Sequence, residues 1–186
     1  PIIKKLLESK SITDDESIKA LLDETIINHD PWLLSDMEKA VTRINEAIDK
    51  NERILVYGDY DADGATSTAL MVLALRELGA KVQYLVPDRF KYGYGLTPAI
   101  ADLAFTRFQP DLLITVDNGI SSHAGVEQAQ AHGMQVIITD HHLTTKATPA
   151  ADAVVNPNQL GCEFPSKALA GVGVAFYVLA NLSSYR

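Results

Sequence analysis

Four short, almost unbroken apolar runs recur from Arg53 onward: ILVYG (54–58), KVQYLV (81–86), DLLITV (111–116) and MQVIIT (134–139). A strand with one wet face alternates polar and apolar residues. A strand that is apolar at nearly every position is buried on both faces, as in a parallel sheet covered by helices. Helical character fills the gaps over 66–78, 97–107, with Pro98 at the first helical position, and 121–131. Strand and helix thus alternate four times, which predicts an α/β fold: a doubly wound, mainly parallel sheet with flanking helices. A short strand AVVN (153–156) and a final helix over 166–182 complete the pattern. In such sheets ligands bind outside the carboxyl ends of the strands.

The first 50 residues read differently. Thr13–Glu16 (TDDE) and Ser35–Glu38 (SDME) have the spacing of a capping box, which opens a helix by satisfying its first backbone N–H groups. One helix is predicted to Asp23. A second runs to Lys50, with Met37, Val41, Ile44 and Ile48 on its apolar face and Pro31-Trp32 anchoring the turn before it. The expected organisation is a helical lead-in over 1–50 and a sheet domain over 51–186.

Polar residues gather at the strand ends. Asp59, Asp61 and Asp63 follow the first run, Asp117 and Asn118 the third, and Asp140, His141 and His142 the fourth. Collecting these carboxylates at one edge without a cation would cost several kcal/mol, on the order of the penalties for unpaired buried charge. Carboxylates with imidazoles suit Mn2+ or Mg2+, and two such ions about 3.5–4 Å apart can stabilise both the attacking and the leaving oxygen of a phosphoryl group. The single elements have blander readings. DYDADG (59–64) opens like a calcium loop, but the twelfth position is Leu70 where a bidentate Glu belongs. DADGAT (61–66) resembles the start of the haloacid-dehalogenase phosphatases, a reading that leaves the two histidines unexplained. His29, His123 and His132 lie away from the strand ends.

DYDADG, VDNGISSHAG (116–125) and TDHH (139–142) together resemble the first three motifs of the DHH phosphoesterase superfamily. The wider text, YLVPDRFKYGYGL (84–96), NPN (156–158) and FPSKALAGVGVAFY (164–177), is similar to that superfamily's single-strand-specific 5′ to 3′ DNA exonucleases of recombination and repair. The resemblance implies that Asp61, Asp63, Asp117 and His141 bind metal, with Asp117 bridging two ions. Asp59 is a further ligand or an orienting acceptor, and Asp140 is assigned to orientation. The resemblance further implies that His142 faces the scissile phosphate and that His142 and Asp117 are the catalytic pair. Adjacent residues in extended chain point oppositely, which suggests a division of labour between His141 and His142. The implied cofactors are two divalent metal ions, Mn2+ or Mg2+, and the implied substrate is single-stranded DNA. A single-strand-binding protein and a helicase are implied partners, and the cytoplasm the compartment.

Single-stranded DNA calls for aromatic platforms and cations. Arg89, Lys91, Tyr92 and Tyr94 supply both in the loop after the second run, with Gly93 and Gly95 permitting turns. Arg89, Tyr94, Asn118 and Lys167 are the candidate substrate-binding residues. The family's fourth metal motif and its DHHA1-like domain are not recognisable, so activity of this stretch alone is expected to be weak or absent. Two other functions share parts of the pattern. One is a DHH phosphoesterase acting on short oligonucleotides, cyclic dinucleotides or pyrophosphate; the other is a replication scaffold without catalysis.

The net charge of −8, from 16 basic and 24 acidic residues, argues at first against a DNA substrate. Residues 51–186 carry 9 basic and 13 acidic groups, and five of those acids are Asp59, Asp61, Asp63, Asp117 and Asp140. The acidity of the sheet region is therefore the proposed metal site. One cysteine, Cys162, cannot form an internal disulfide, and no apolar run approaches the ~20 residues of a membrane span.

Overall fold

The computed structural model describes residues 29–144 and 146–184, together with Lys5, Ser9, Thr13, Asp14, Ile18 and Lys19. Of the helix expected from Thr13 to Asp23 only Thr13, Asp14, Ile18 and Lys19 are described, and the side chains of Arg89, Phe90, Ser183 and Ser184 lie outside the described residues. Pro1–Asp30 and Pro31–Arg186 form two compact units. Every element named below belongs to the second.

That unit opens with a 3-10 turn, Pro31–Leu33, then α1 (Met37–Asp49), β1 (Arg53–Gly58), α2 (Ala62–Glu77), β2 (Lys81–Leu85) and a single-turn α3 (Arg89–Tyr92). It continues with α4 (Pro98–Phe108), β3 (Leu112–Val116), α5 (His123–Ala131), β4 (Gln135–Thr139), β5 (Ala153–Val155) and α6 (Gly171–Ser184). The strands lie in the order β2-β1-β3-β4-β5 and every pairing is parallel. Strand order reverses between β1 and β3, which opens a crevice at their carboxyl ends.

Alternation along each strand divides the core into two layers. Ile54, Val56, Leu112, Ile114, Val116 and Ile137 face α1, α2 and α6. Leu55, Tyr57, Leu113, Val136 and Ile138 face α4 and α5. Each fully buried Leu or Ile contributes about 1.5–3 kcal/mol, and this is why continuous apolar runs mark the strands. The register then fixes the site. Gly58 pairs with Val116 and Val116 with Thr139, so Asp59, Asp117 and Asp140 each follow a residue of one transverse row.

Three local expectations change. Helix α1 packs into the sheet's own core through Met37, Ala40, Val41, Ile44, Ala47 and Ile48, so the lead-in does not extend to residue 50 as one body. Its capping box does not form. Asp36 takes the N-cap with φ 57° and makes no side-chain cap bond; its carboxylate accepts instead from the Val154 N–H at 3.1 Å and from Lys39 Nζ at 2.7 Å. Leu34, just after the preceding turn, is buried, while Trp32 within it is 45% exposed. The last helix starts at Gly171 rather than near Ser166, because its first N–H groups are capped from another part of the chain.

Candidate metal centre

The site is built from three strand-to-helix connections. After β1, Asp61 takes the N-cap of α2, its Oδ1 accepting from the Gly64 N–H at 2.9 Å. Gly64 has to be glycine, since a Cβ there would stand 2.6 Å from the Asp59 carbonyl oxygen. Asp59 Oδ1 accepts from the Tyr60 N–H at 2.8 Å. Asp63, in the first turn of α2, reaches across to α6: Oδ2 accepts from the Gly171 N–H at 2.7 Å and Oδ1 from the Val172 N–H at 2.8 Å.

After β3, Asp117 adopts φ 61°, a left-handed backbone that costs about 1 kcal/mol or more outside glycine. Its carboxyl is 2% exposed, and Oδ1 accepts no hydrogen bond although His141 Nε2 stands only 3.1 Å away. Burial first, and then the charges of Asp63 and Asp61, push this carboxyl up to about 7. Asn118 does not face an open cleft. It is buried, and its Nδ2 donates to the carbonyls of Val116 at 2.9 Å and Tyr57 at 3.4 Å, tying the ends of β3 and β1.

After β4 the chain is folded around Asp140. Its Oδ1 accepts from the His141 N–H at 2.7 Å and the His142 N–H at 3.1 Å and pairs with His142 Nδ1 at 2.7 Å, while Oδ2 accepts from the Ile120 N–H at 2.9 Å. Burial works against ionisation of Asp140, but these hydrogen bonds outweigh it and hold the carboxyl below its usual range. The pairing with Asp140 raises the affinity of His142 for a proton in turn. The imidazoles do not point oppositely as extended chain would require. Their centroids lie 4.7 Å apart at 59°, with the two backbone N–H groups turned onto Asp140 Oδ1 and the His142 ring held there by its Nδ1.

One ligand atom from each of Asp117, His141 and His142 falls within 4.8 Å of the others, and His141 Nε2 is 3.5 Å from Asp63 Oδ2. Asp61 stands close enough for its charge to act on Asp117. An orphaned buried carboxylate oxygen, two imidazoles and further carboxylates form a donor set that fits a hard or borderline divalent cation. Asp140 spends Oδ1 on three protein donors and Oδ2 on a fourth and serves to orient His142, whereas each Asp63 oxygen accepts a single backbone N–H.

The candidate substrate residues separate. The Tyr94 hydroxyl lies 3.2 Å from His142 Nε2, and its ring meets the imidazole edge to face at 6.0 Å. Tyr92 packs against the core. The Arg89 side chain lies outside the described residues. Lys167 is engaged as a clamp: Nζ donates to the carbonyls of Pro157 at 2.6 Å and Cys162 at 2.8 Å. His132 stacks on Phe105 and pairs with Asp102, away from the site. Sequence reading missed the part played by Gly171 and by the Asn156–Asn158 turn, both of which reach the site through long-range contacts.

This parallel sheet carries acidic and imidazole side chains at the β1, β3 and β4 ends, a donor set for a divalent cation. The chain belongs to the DHH family: residues 53–186 match the model of the DHH family, N-terminal domain. It is 50% identical over 191 aligned residues to the single-stranded-DNA-specific exonuclease RecJ of Escherichia coli, an alignment covering all of this chain and 32% of that protein. Among solved structures it is similar to exonuclease RecJ bound to manganese, with a TM-score of 0.76 and 37% identity over 85% of this chain and 40% of that one. RecJ of Thermus thermophilus in complex with Mn2+ is similar with a TM-score of 0.70 and 36% identity, covering 82% and 21%. The chain spans about a third of the length of its E. coli relative.

Proposed function

We propose that this chain carries the metal-binding and phosphate-handling part of an exonuclease that degrades single-stranded DNA from the 5′ end. The observation that carries the reading is the buried, hydrogen-bond-orphaned Asp117 oxygen beside His141, at an edge shared with Asp63 and His142. Asp117, Asp63 and His141 would hold a divalent ion, with Asp61 and Asp59 completing a second position. Bound there, Mn2+ or Mg2+ would supply charge neutralisation at the phosphoryl group and a lowered pKa for the attacking water. The manganese-bound relatives of 36–37% identity support this choice of cation.

The chain's own groups divide the remaining work. His142, held at Nδ1 by Asp140, presents Nε2 toward the space where the scissile phosphate would sit, as an N–H donor to a phosphate oxygen. Tyr94 stands over that nitrogen and must give way to or share it with substrate. The N-terminus of α6 is turned onto Asp63 and keeps that carboxylate aimed. Asn118 braces the two strand ends behind the carboxylates. We further assign the activity to recombination and repair in the cytoplasm, alongside a single-strand-binding protein and a helicase. Among the described residues no helix is long and apolar enough to cross a membrane.

Substrate length tests this reading against a phosphoesterase for small nucleotides. Incubation of the gene product that carries this chain with 5′-phosphorylated single strands of graded length, a cyclic dinucleotide and pyrophosphate should give turnover that rises with strand length. Preferred turnover of the cyclic dinucleotide or pyrophosphate would reassign the substrate.

A further inference from the structure

His141 and His142 lie in chain without regular secondary structure, so no helix or sheet ladder fixes their directions. Their N–H groups are both held by Asp140 Oδ1. Their carbonyls are held by a different part of the chain. Asn156 Nδ2 donates to the His142 carbonyl at 3.0 Å, and Asn158 Nδ2 donates to the His141 carbonyl at 2.6 Å. Each histidine is therefore pinned at both ends of its main chain.

The two amides are themselves fixed. The Asn158 N–H donates to Asn156 Oδ1 at 2.7 Å, which decides which way the Asn156 amide faces and leaves its NH2 for His142. Asn158 Nδ2 also donates to the Lys167 carbonyl at 3.2 Å, while Lys167 Nζ holds the carbonyl of the intervening Pro157 at 2.6 Å. Asn156 is fully buried and immediately follows β5, which pairs with β4 through Thr139 and Val155, one residue before Asp140. The turn at 156–158 is thus referenced to the same strand that delivers the histidines.

We propose that Asn156 and Asn158 are positioning residues, which set the directions of the His142 and His141 imidazoles by holding their main-chain carbonyls. The proposal rests on the metal-dependent reading for its consequence, though not for its geometry. Replacing Asn158 by Asp keeps the shape but turns a donor into an acceptor against the His141 carbonyl, a change that leaves both oxygens unsatisfied.

The test uses imidazole carbon-proton NMR spectra of this chain without metal, followed by Mn2+ titration calorimetry. Asn158→Asp should move or broaden the His141 signals and leave His123 and His132 at their wild-type positions. Mn2+ affinity should fall about tenfold to a hundredfold, the usual cost of losing a residue that orients a metal ligand. Gln159→Ala, which removes only a bond to the Val154 carbonyl from the same loop, should change neither readout. Wild-type His141 signals in folded Asn158→Asp, or wild-type Mn2+ affinity, would overturn the proposal. If that variant does not fold, Lys167→Met, which frees the carbonyls of Pro157 and Cys162 and so loosens the turn that carries Asn158, carries the test with the same two outcomes. If wild type takes up no Mn2+, the functional reading falls by itself, and the metal-free spectra alone decide the positioning proposal.

Discussion

The Gly171 N–H donates to Asp63 Oδ2 at 2.7 Å across 108 residues of sequence, so a carboxylate of the first turn of α2 caps the N-terminus of α6. The same glycine leaves room for the neighbouring carboxylate. A Cβ at Gly171 would stand 2.5 Å from Asp117 Oδ1 and 2.9 Å from Asp117 Cβ. One position thus aims Asp63 through its N–H and admits Asp117 through its missing side chain.

Gly171→Ala should therefore damage the site more than its fold. Overpacking of this kind costs about 1–3 kcal/mol, read by urea denaturation. Mn2+ uptake by the variant should fall well beyond what that loss of stability explains. Wild-type uptake would show that Asp117 moves aside freely.

Asp63→Asn tests the cap. An amide can accept from only one of the two N–H groups of Gly171 and Val172 and turns its own NH2 toward the other. A loss of about 1 kcal/mol in urea unfolding is expected, within the range for helix N-caps, with the helix content unchanged by circular dichroism.

The pH dependence follows from Asp117. Folded Asp117 keeps its proton up to about pH 7, whereas an unfolded carboxyl releases it near about 4. Between those values the metal-free folded state binds more protons than the unfolded state, so this group makes stability fall as pH rises. Asp140 has the opposite sign: its lowered pKa gives stability above the unfolded carboxylate value that is lost as pH falls through the folded one. The difference between wild type and Asp117→Asn, measured by denaturation from pH 4 to pH 7, isolates the first effect. It should shrink the slope, and Mn2+ binding below pH 7 should release a proton, seen as buffer-dependent heats.

Tyr94→Phe removes the hydroxyl over His142 and nothing buried. Stability should stay within about 0.5 kcal/mol of wild type. Tyr94→Ala should weaken binding of a single-stranded oligonucleotide by about fivefold to a hundredfold, the loss of one stacking platform, measured by fluorescence anisotropy in the presence of EDTA. Unchanged affinity would remove Tyr94 from the substrate surface.

The sheet was legible because burial on both faces leaves a mark at every strand position: the expected and observed strands differ by one residue at most at either end. The carboxylates and imidazoles were legible as a group for the same reason, since the register of β1, β3 and β4 carries each strand end to one row. What the local pattern did not carry were contacts between distant segments. The cap of α6 comes from Asp63, so Ser166 looked like a helix start that the structure does not use. Asn118 and Lys167 looked available for phosphate, but neighbouring carbonyls occupy them. The directions of His141 and His142 depend on Asp140 folding back on its own successors, which overrides the alternation of extended chain.

The most direct test of the account is Mn2+-dependent digestion of 5′-phosphorylated single-stranded DNA by the gene product that carries this chain, compared with its Asp117→Ala variant. Wild type should release nucleotides from the 5′ end, stop when the metal is chelated and resume when Mn2+ is restored, and the variant should show no digestion above background. Equal digestion with and without the Asp117 carboxylate would contradict the metal-dependent mechanism proposed for this site.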